Sequence, residues 1–188
     1  MISKFFEARK LRPFKTCALS LDLRGREIRS CPRTDPPEGI EFEMGLTARV
    51  RSDGFLTGTC NSDVIYVDNP HLPRAVRPGD NIYFDNGSIT GVVLEVDMDN
   101  IKVQFKQAGF FKGGSSVWIP GNRLAQMPIL TNEDKTDIET IAIKNRFDYI
   151  IVPNVTSVKD VQEVKYALGD KGQNIGIFAK IDNLEAVH

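Results

Sequence analysis

The stretch FDYIIVPNVTSVKDVQEVKYALGDKGQNIGIFAKI, residues 147–181, decides the fold class. Tyr149–Val152 is a short apolar run between polar neighbours and reads as a buried strand. Ser157 stands where a helix N-cap belongs, and Val158, Val161, Val164 and Leu168 fall on one face of the helix that follows. Gly169 is placed to stop that helix. GIFAKI (176–181) supplies a second apolar strand. Strand, helix, strand is the order of a parallel βα unit.

The same logic extends upstream. Thr131 precedes Asn132-Glu133-Asp134 and an apolar stripe of Ile138, Ile141 and Ala142, an N-cap with acids in the first turn. Residues 25–122 change character. They are rich in Gly, Pro and Asp, with short alternating runs between turn signals. The Asn86-Gly87 pair tolerates positive φ and separates Asn81–Phe84 from Ile89–Val96, and Ile101, Val103 and Phe105 alternate with Lys102 and Gln104. This pattern predicts a small antiparallel β-domain with one buried face and no helix. Residues 1–24 hold an amphipathic stretch, SKFFEARK, and an apolar run, Cys17–Leu21, that reads as a strand covered on both faces. The expected division is therefore 1–24, 25–122 and 123–188, a β/α chain interrupted after its first strand.

Composition narrows the function classes. The 188 residues carry Lys+Arg 24 against Asp+Glu 25, with 41% hydrophobic residues and pI ≈ 6.1. A near-neutral chain lacks the basic excess that phosphate backbones demand, so nucleic acid is not expected as a partner. No apolar run of membrane-spanning length or secretory core occurs, so no membrane association is expected. The basic start is interrupted by Glu7, Asp22 and Glu27, which argues against a transit peptide. Cys17, Cys31 and Cys60 are widely spaced and unaccompanied by a Cys/His cluster, which fits reduced thiols and a cytoplasmic location. GFFKGG (109–114) lacks the helix a phosphate-cradling loop needs behind it.

Four segments, taken in order, resemble the pyruvate kinase family. SLDLRGREIRS (20–30) is similar to the family's LDTKGPEIR, and PGDNIYFDNGSI (78–89) to its Pro-Gly turn, strand and Asp-Asp-Gly. IPGNRLAQMPILTNEDKTDIE (119–139) follows the pattern that returns the family's chain to its barrel. LGDKGQNIGIFAKIDNLEAV (168–187) is similar to LGxxGxxIxIISKIENxEGV. The resemblance implies an α/β fold: an incomplete TIM (β/α) barrel segment supplying strands three to five, interrupted by an inserted all-β B domain. It also implies a truncated or degenerate member, because a barrel of this type closes with eight strands.

The resemblance carries chemistry with it. Pyruvate kinases transfer a phosphoryl group between phosphoenolpyruvate and ADP in glycolysis, giving pyruvate and ATP, with magnesium and potassium. Lys180 matches the family's catalytic lysine, Asp182 its magnesium-binding glutamate, and Asp22 with the Leu23 carbonyl its potassium site. Arg29 matches an arginine associated with the nucleotide. Read without the resemblance, these are a solvated lysine, a strand-end aspartate and an exposed arginine. Asp182 is one methylene shorter than the family's glutamate. Arg24 and Arg26 replace Lys and Pro of KGPEIR, Asn86 the second Asp of Asp-Asp-Gly, and Gly114 and Ser115 the B-domain lysines, although Lys112 lies nearby. VPNVTS (152–157) replaces ASF(I/V)RK, putting Asn154 and Thr156 where the family has an aromatic and an arginine. The expectation is a pyruvate-kinase-like chain, inactive by itself, with both metal sites incomplete. The alternative is a non-catalytic pseudoenzyme or interaction module pairing with a full-length pyruvate kinase. Either reading predicts homo- or hetero-oligomers, since sheet edges at Cys17–Leu21 and Ile175–Ile181 would be uncovered.

Overall fold

Two stretches of chain far apart in sequence build one unit, and the residues between them build another. In the computed structural model, which describes residues 2–120, 127–182 and 185–187, the first unit runs up to Gly25 and resumes at Pro128, and the second is Arg26–Met127. In chain order the elements are α1 (Ile2–Leu11), β1 (Ser20–Asp22), β2 (Ile28–Arg29), β3 (Ile40–Phe42), β4 (Thr47–Arg51), β5 (Val64–Tyr66), α2 (Leu72–Ala75) and β6 (Asn81–Phe84). Then come β7 (Ile89–Val96), β8 (Asn100–Phe105), β9 (Gly109–Phe111), β10 (Ser116–Val117), α3 (Asn132–Asp137), β11 (Tyr149–Val152), α4 (Val158–Leu168) and β12 (Gly176–Ala179). No helix among the described residues is long and apolar enough to cross a membrane.

The first unit is α/β. Its sheet has the order β1-β11-β12 with both pairings parallel. Ile150 and Val152 of the central strand are fully buried and pack with Ile138, Ala142, Val164 and Leu168 from the helical layer and with Ile129 from the segment before it. Helices α3 and α4 begin with reciprocal capping boxes, Thr131 with Asp134 and Ser157 with Asp160, each satisfying orphan N–H groups of the first turn. Gly169, at φ 53, closes α4 in a conformation that costs glycine little.

The sheet departs from expectation at its margins. The first strand is Ser20–Asp22 rather than Cys17–Leu21, because the Cys17 carbonyl accepts from the Arg9 guanidinium and stays outside the ladder. It is not covered on both faces, since Ser20 and Asp22 are exposed. The last strand is Gly176–Ala179, shorter than Ile175–Ile181, and its outer half is exposed. Val158 is 74% exposed rather than buried, since it belongs to the first turn of α4, before the face that meets the sheet. Helix α1 buries none of its residues. Arg9 instead stacks on the Phe5 ring at 4.8 Å and bonds Asp148 Oδ2 at 2.6 Å.

Asp148 at the foot of β11 titrates low. The Leu19 N–H, at 2.8 Å, is the larger cause and the Arg9 guanidinium the next, both favouring the carboxylate. A folded-state value below the ordinary 3.8 means that its contribution is complete above that pH and is lost as the pH falls through the lower value. Between about pH 6 and about pH 2.5, Asp148→Asn should therefore lose less stability than the parent. Urea midpoints at the two pH values measure this; equal losses would contradict it.

The second unit is mostly β. Its main sheet has the order β5-β4-β8-β7-β6. Alternation decides its faces, with Ile101, Val103 and Phe105 buried and their neighbours outward. Phe42, Phe84, Phe105 and Phe111 meet at its centre, Phe42 stacking on Phe105 with centroids 4.1 Å apart. The turn after β6 holds Asp85, Asn86 and Gly87 all at positive φ. Two features differ from expectation. A short helix, α2, is present, started by a proline in its first turn and fixed by buried Leu72 and Ala75. The sheet is mixed, because β5 returns parallel to β4.

Cys31 and Cys60 are fully buried free thiols in this unit, and burial pushes Cys60 up to about 11. A thiol held protonated is a poor nucleophile, so Cys60 is not a candidate for covalent chemistry.

Candidate functional site

The first unit gathers polar side chains at the carboxyl ends of its parallel strands. Lys180 directly follows β12, and its N–H donates to the Val152 carbonyl at 2.9 Å. The Lys180 carbonyl accepts from Val155 at 3.3 Å, so the chain past β12 stays pinned to the loop that follows β11. Two residues on, Asp182 turns back, and its Oδ2 lies 3.5 Å from Lys180 Nζ. The two side chains are 45% and 34% exposed, open enough for a ligand to reach both.

The Asp182 carboxylate has a second anchor. The Asn154 N–H donates to the same Oδ2 at 3.2 Å. Asn154 sits at φ 53, a left-handed position that asparagine tolerates better than most residues. Among the described residues Asp182 Oδ1 accepts no hydrogen bond, which leaves one oxygen of this carboxylate for a ligand.

Asp22 ends β1 and is exposed, aligned with Ile151 on the neighbouring strand. With strands about 4.8 Å apart, it stands on the order of 10 Å across the sheet from β12. Leu23 is buried, its N–H donating to the Ile151 carbonyl at 2.9 Å, which fixes the peptide that follows Asp22. Gly25 then turns at φ +57, where an added Cβ would come within 2.9 Å of the Pro153 ring. Lys180 and Asp182 are thus brought into contact, and Asp22 and Leu23 share their end of the sheet. Arg29 belongs to the other unit, where its guanidinium pairs with Glu27 at 3.3 Å and its N–H donates to Asp68 at 2.7 Å.

Among the described residues no group of three or more His, Cys, Asp and Glu side chains is assembled to hold a metal. A carboxylate such as Asp182 is the right donor type for magnesium, which commonly takes one or two protein carboxylates and completes its shell with water and phosphate oxygens. The donor set fits that metal in kind. Asp22 and the Leu23 carbonyl are hard oxygen donors of the type potassium takes.

Sequence reasoning missed two contributors. Asn154 was visible only as a departure from an expected aromatic, and its contact with Asp182 spans 28 residues. Asp134 was visible as a first-turn acid, but its oxygens also accept from Arg24 N–H at 2.8 Å and Gly25 N–H at 3.0 Å. That contact holds the segment leaving β1.

The family model of the pyruvate kinase barrel domain matches residues 2–188. Pyruvate kinase of Schizosaccharomyces pombe is 31% identical over 186 residues, covering 97% of this chain and 35% of the relative. That of Eimeria tenella is 30% identical over 187 residues, covering 100% of this chain and 34% of the relative. The crystal structure of a pyruvate kinase from Cryptosporidium parvum superposes with a TM-score of 0.79 at 28% identity, covering 99% of this chain and 38% of that one. The chain spans about a third of the length of these curated relatives.

Proposed function

The chain belongs to the pyruvate kinase family, and from that premise we propose that its residues serve phosphoryl transfer between phosphoenolpyruvate and ADP. The observation that carries this reading is the Lys180–Asp182 pair, 3.5 Å apart at the carboxyl end of a parallel strand. Catalytic groups of βα barrels belong at that end. In the transfer, the bond from phosphorus to the enol oxygen breaks and one to the terminal oxygen of ADP forms. Charge spreads over the phosphoryl oxygens and the departing enolate, so a fixed cation accelerates the step. Lys180 is that cation. Its backbone is held by the hydrogen bonds with Val152 and Val155, and Asp182 orients the ammonium.

Magnesium, when bound, would supply further positive charge to the phosphate oxygens. Asp182 is the residue that would hold it, through the oxygen its partners leave open. Asp22 with the Leu23 carbonyl would hold potassium. Arg29 is assigned to the nucleotide phosphates, and Arg26–Met127 to the family's inserted B domain.

A second reading has its own observation. Phe178 of strand β12 is 53% exposed and Ile181, just past the strand, 57%, with Phe178 packed on Tyr149 at 4.6 Å between centroids. An apolar strand edge of this kind templates association, which favours a non-catalytic partner of a longer pyruvate kinase subunit. One preparation of the 188-residue polypeptide tests both. In a coupled assay it is expected to show no turnover alone, because the described residues offer magnesium a single carboxylate; turnover abolished by Lys180→Met would contradict that. Sedimentation as a 21.0 kDa monomer at all concentrations would remove the association reading.

A further inference from the structure

At the opposite, amino-terminal ends of β11 and β12 the first unit opens a cleft of ≈ 1250 Å³. Four cations line it: Arg9, Lys15, Arg146 and Lys171. One carboxylate, Asp148, stands among them, and it is already engaged with Arg9 at 2.6 Å and the Leu19 N–H at 2.8 Å. Lys15, Arg146 and Lys171 have no carboxylate partner among the described residues. Three unpaired cations in one concavity, in a chain of net charge -1, make a local positive field that favours an anion.

The backbone adds a second observation. Arg146 lies at φ 53, at the turn between the helical layer and β11. Glycine or asparagine takes that conformation at lower cost, yet here it carries a cation into the cleft wall. The floor is apolar, formed by buried Phe147 and Ile175 beside the Tyr149 ring. The volume far exceeds that of a single phosphate and matches or exceeds the usual range for small organic ligands.

We propose that this cleft binds a small polyphosphorylated molecule, its phosphate groups held by Lys15, Arg146 and Lys171 and its body resting on Phe147 and Ile175. The site is separate from the Lys180–Asp182 pair, since the two occupy opposite ends of the same strands. It also stands independently of the phosphoryl-transfer reading. A nucleic-acid strand is the less suitable anion, because the cations form one pocket rather than a track along the surface.

Inorganic tripolyphosphate is the probe, titrated calorimetrically into the 188-residue polypeptide at about 0.15 M salt. One binding event is expected, weakened about tenfold or more by Lys15→Gln with Lys171→Gln, since each loses a charge-assisted hydrogen bond. Arg146→Gly removes a cation while relieving the left-handed backbone, so it should bind more weakly and melt no lower than the parent. Lys180→Met should leave the affinity unchanged. No binding, affinity indifferent to the double variant, or affinity lost with Lys180→Met would each overturn the proposal.

Discussion

Asp134→Ala is expected to destabilise the α/β unit by about 3–5 kcal/mol, a large share of what a domain of this size holds in reserve. The side chain is 2% exposed and its two oxygens accept four hydrogen bonds: Arg24 N–H, Gly25 N–H, Thr131 N–H and Thr131 Oγ1. Alanine leaves three backbone N–H groups without that acceptor. Each buried orphan costs about 1–3 kcal/mol, with partial relief from water. The loss falls at both chain crossings at once, since Arg24 and Gly25 leave the unit and Thr131 opens the helix where it resumes. Asp134→Asn should also be destabilising, because an amide cannot accept at both heavy atoms. Urea unfolding followed by circular dichroism measures the effect. The single tryptophan, Trp118, lies in the β unit against Tyr83, so its fluorescence should change little at the first transition. A loss below about 1 kcal/mol would show that the clamp contributes no more than an ordinary cap.

The contrast between what the sequence reveals and what it hides runs along this clamp. Thr131 and Ser157 announce their helices because a cap is a local device, satisfied within three residues. Gly169 announces the stop for the same reason. The alternation of Ile101, Val103 and Phe105 marks a strand because one face of its sheet is buried, and the structure buries all three. The contacts between Asp134 and Gly25, Arg9 and Asp148, and Asn154 and Asp182 are separated by 109, 139 and 28 residues. No local pattern encodes them. Arg26 is the sharpest case: it reads as a substitution for proline, and it is buried, its Nε donating to the Met127 carbonyl at 2.7 Å. That bond ties the two ends of the β unit together, and the return of the chain at Met127 helps make burial of a guanidinium tolerable. Parallel pairing of β4 with β5 is hidden for a related reason, since the direction of a strand depends on its connection and not on its side chains. Of the candidate site, Lys180 and Asp182 were legible as a charged pair two residues apart. Their geometry was not, because it depends on the left-handed turn at Asn154 in a different loop.

The second large effect is predicted at Lys180, where the substitution should act on the chemistry and spare the fold. The ammonium is 45% exposed, and its one ion pair among the described residues is with Asp182, so Met in its place should not disturb the core. If it faces the transferring phosphoryl group, its loss removes a preorganised charge from the transition state. Comparable electrostatic groups contribute about 10²–10⁵ in rate. A reduction of about 10³-fold in kcat, equivalent to about 4 kcal/mol, is the expected size. The most direct measurement places residues 2–187 in the corresponding third of the Schizosaccharomyces pombe pyruvate kinase and assays the folded chimaera for phosphoenolpyruvate-dependent phosphorylation of ADP, with and without Lys180→Met. The predicted result is turnover in the chimaera and its loss by about 10³-fold in the variant. A folded chimaera without turnover, or one whose turnover survives Lys180→Met, would contradict the assignment.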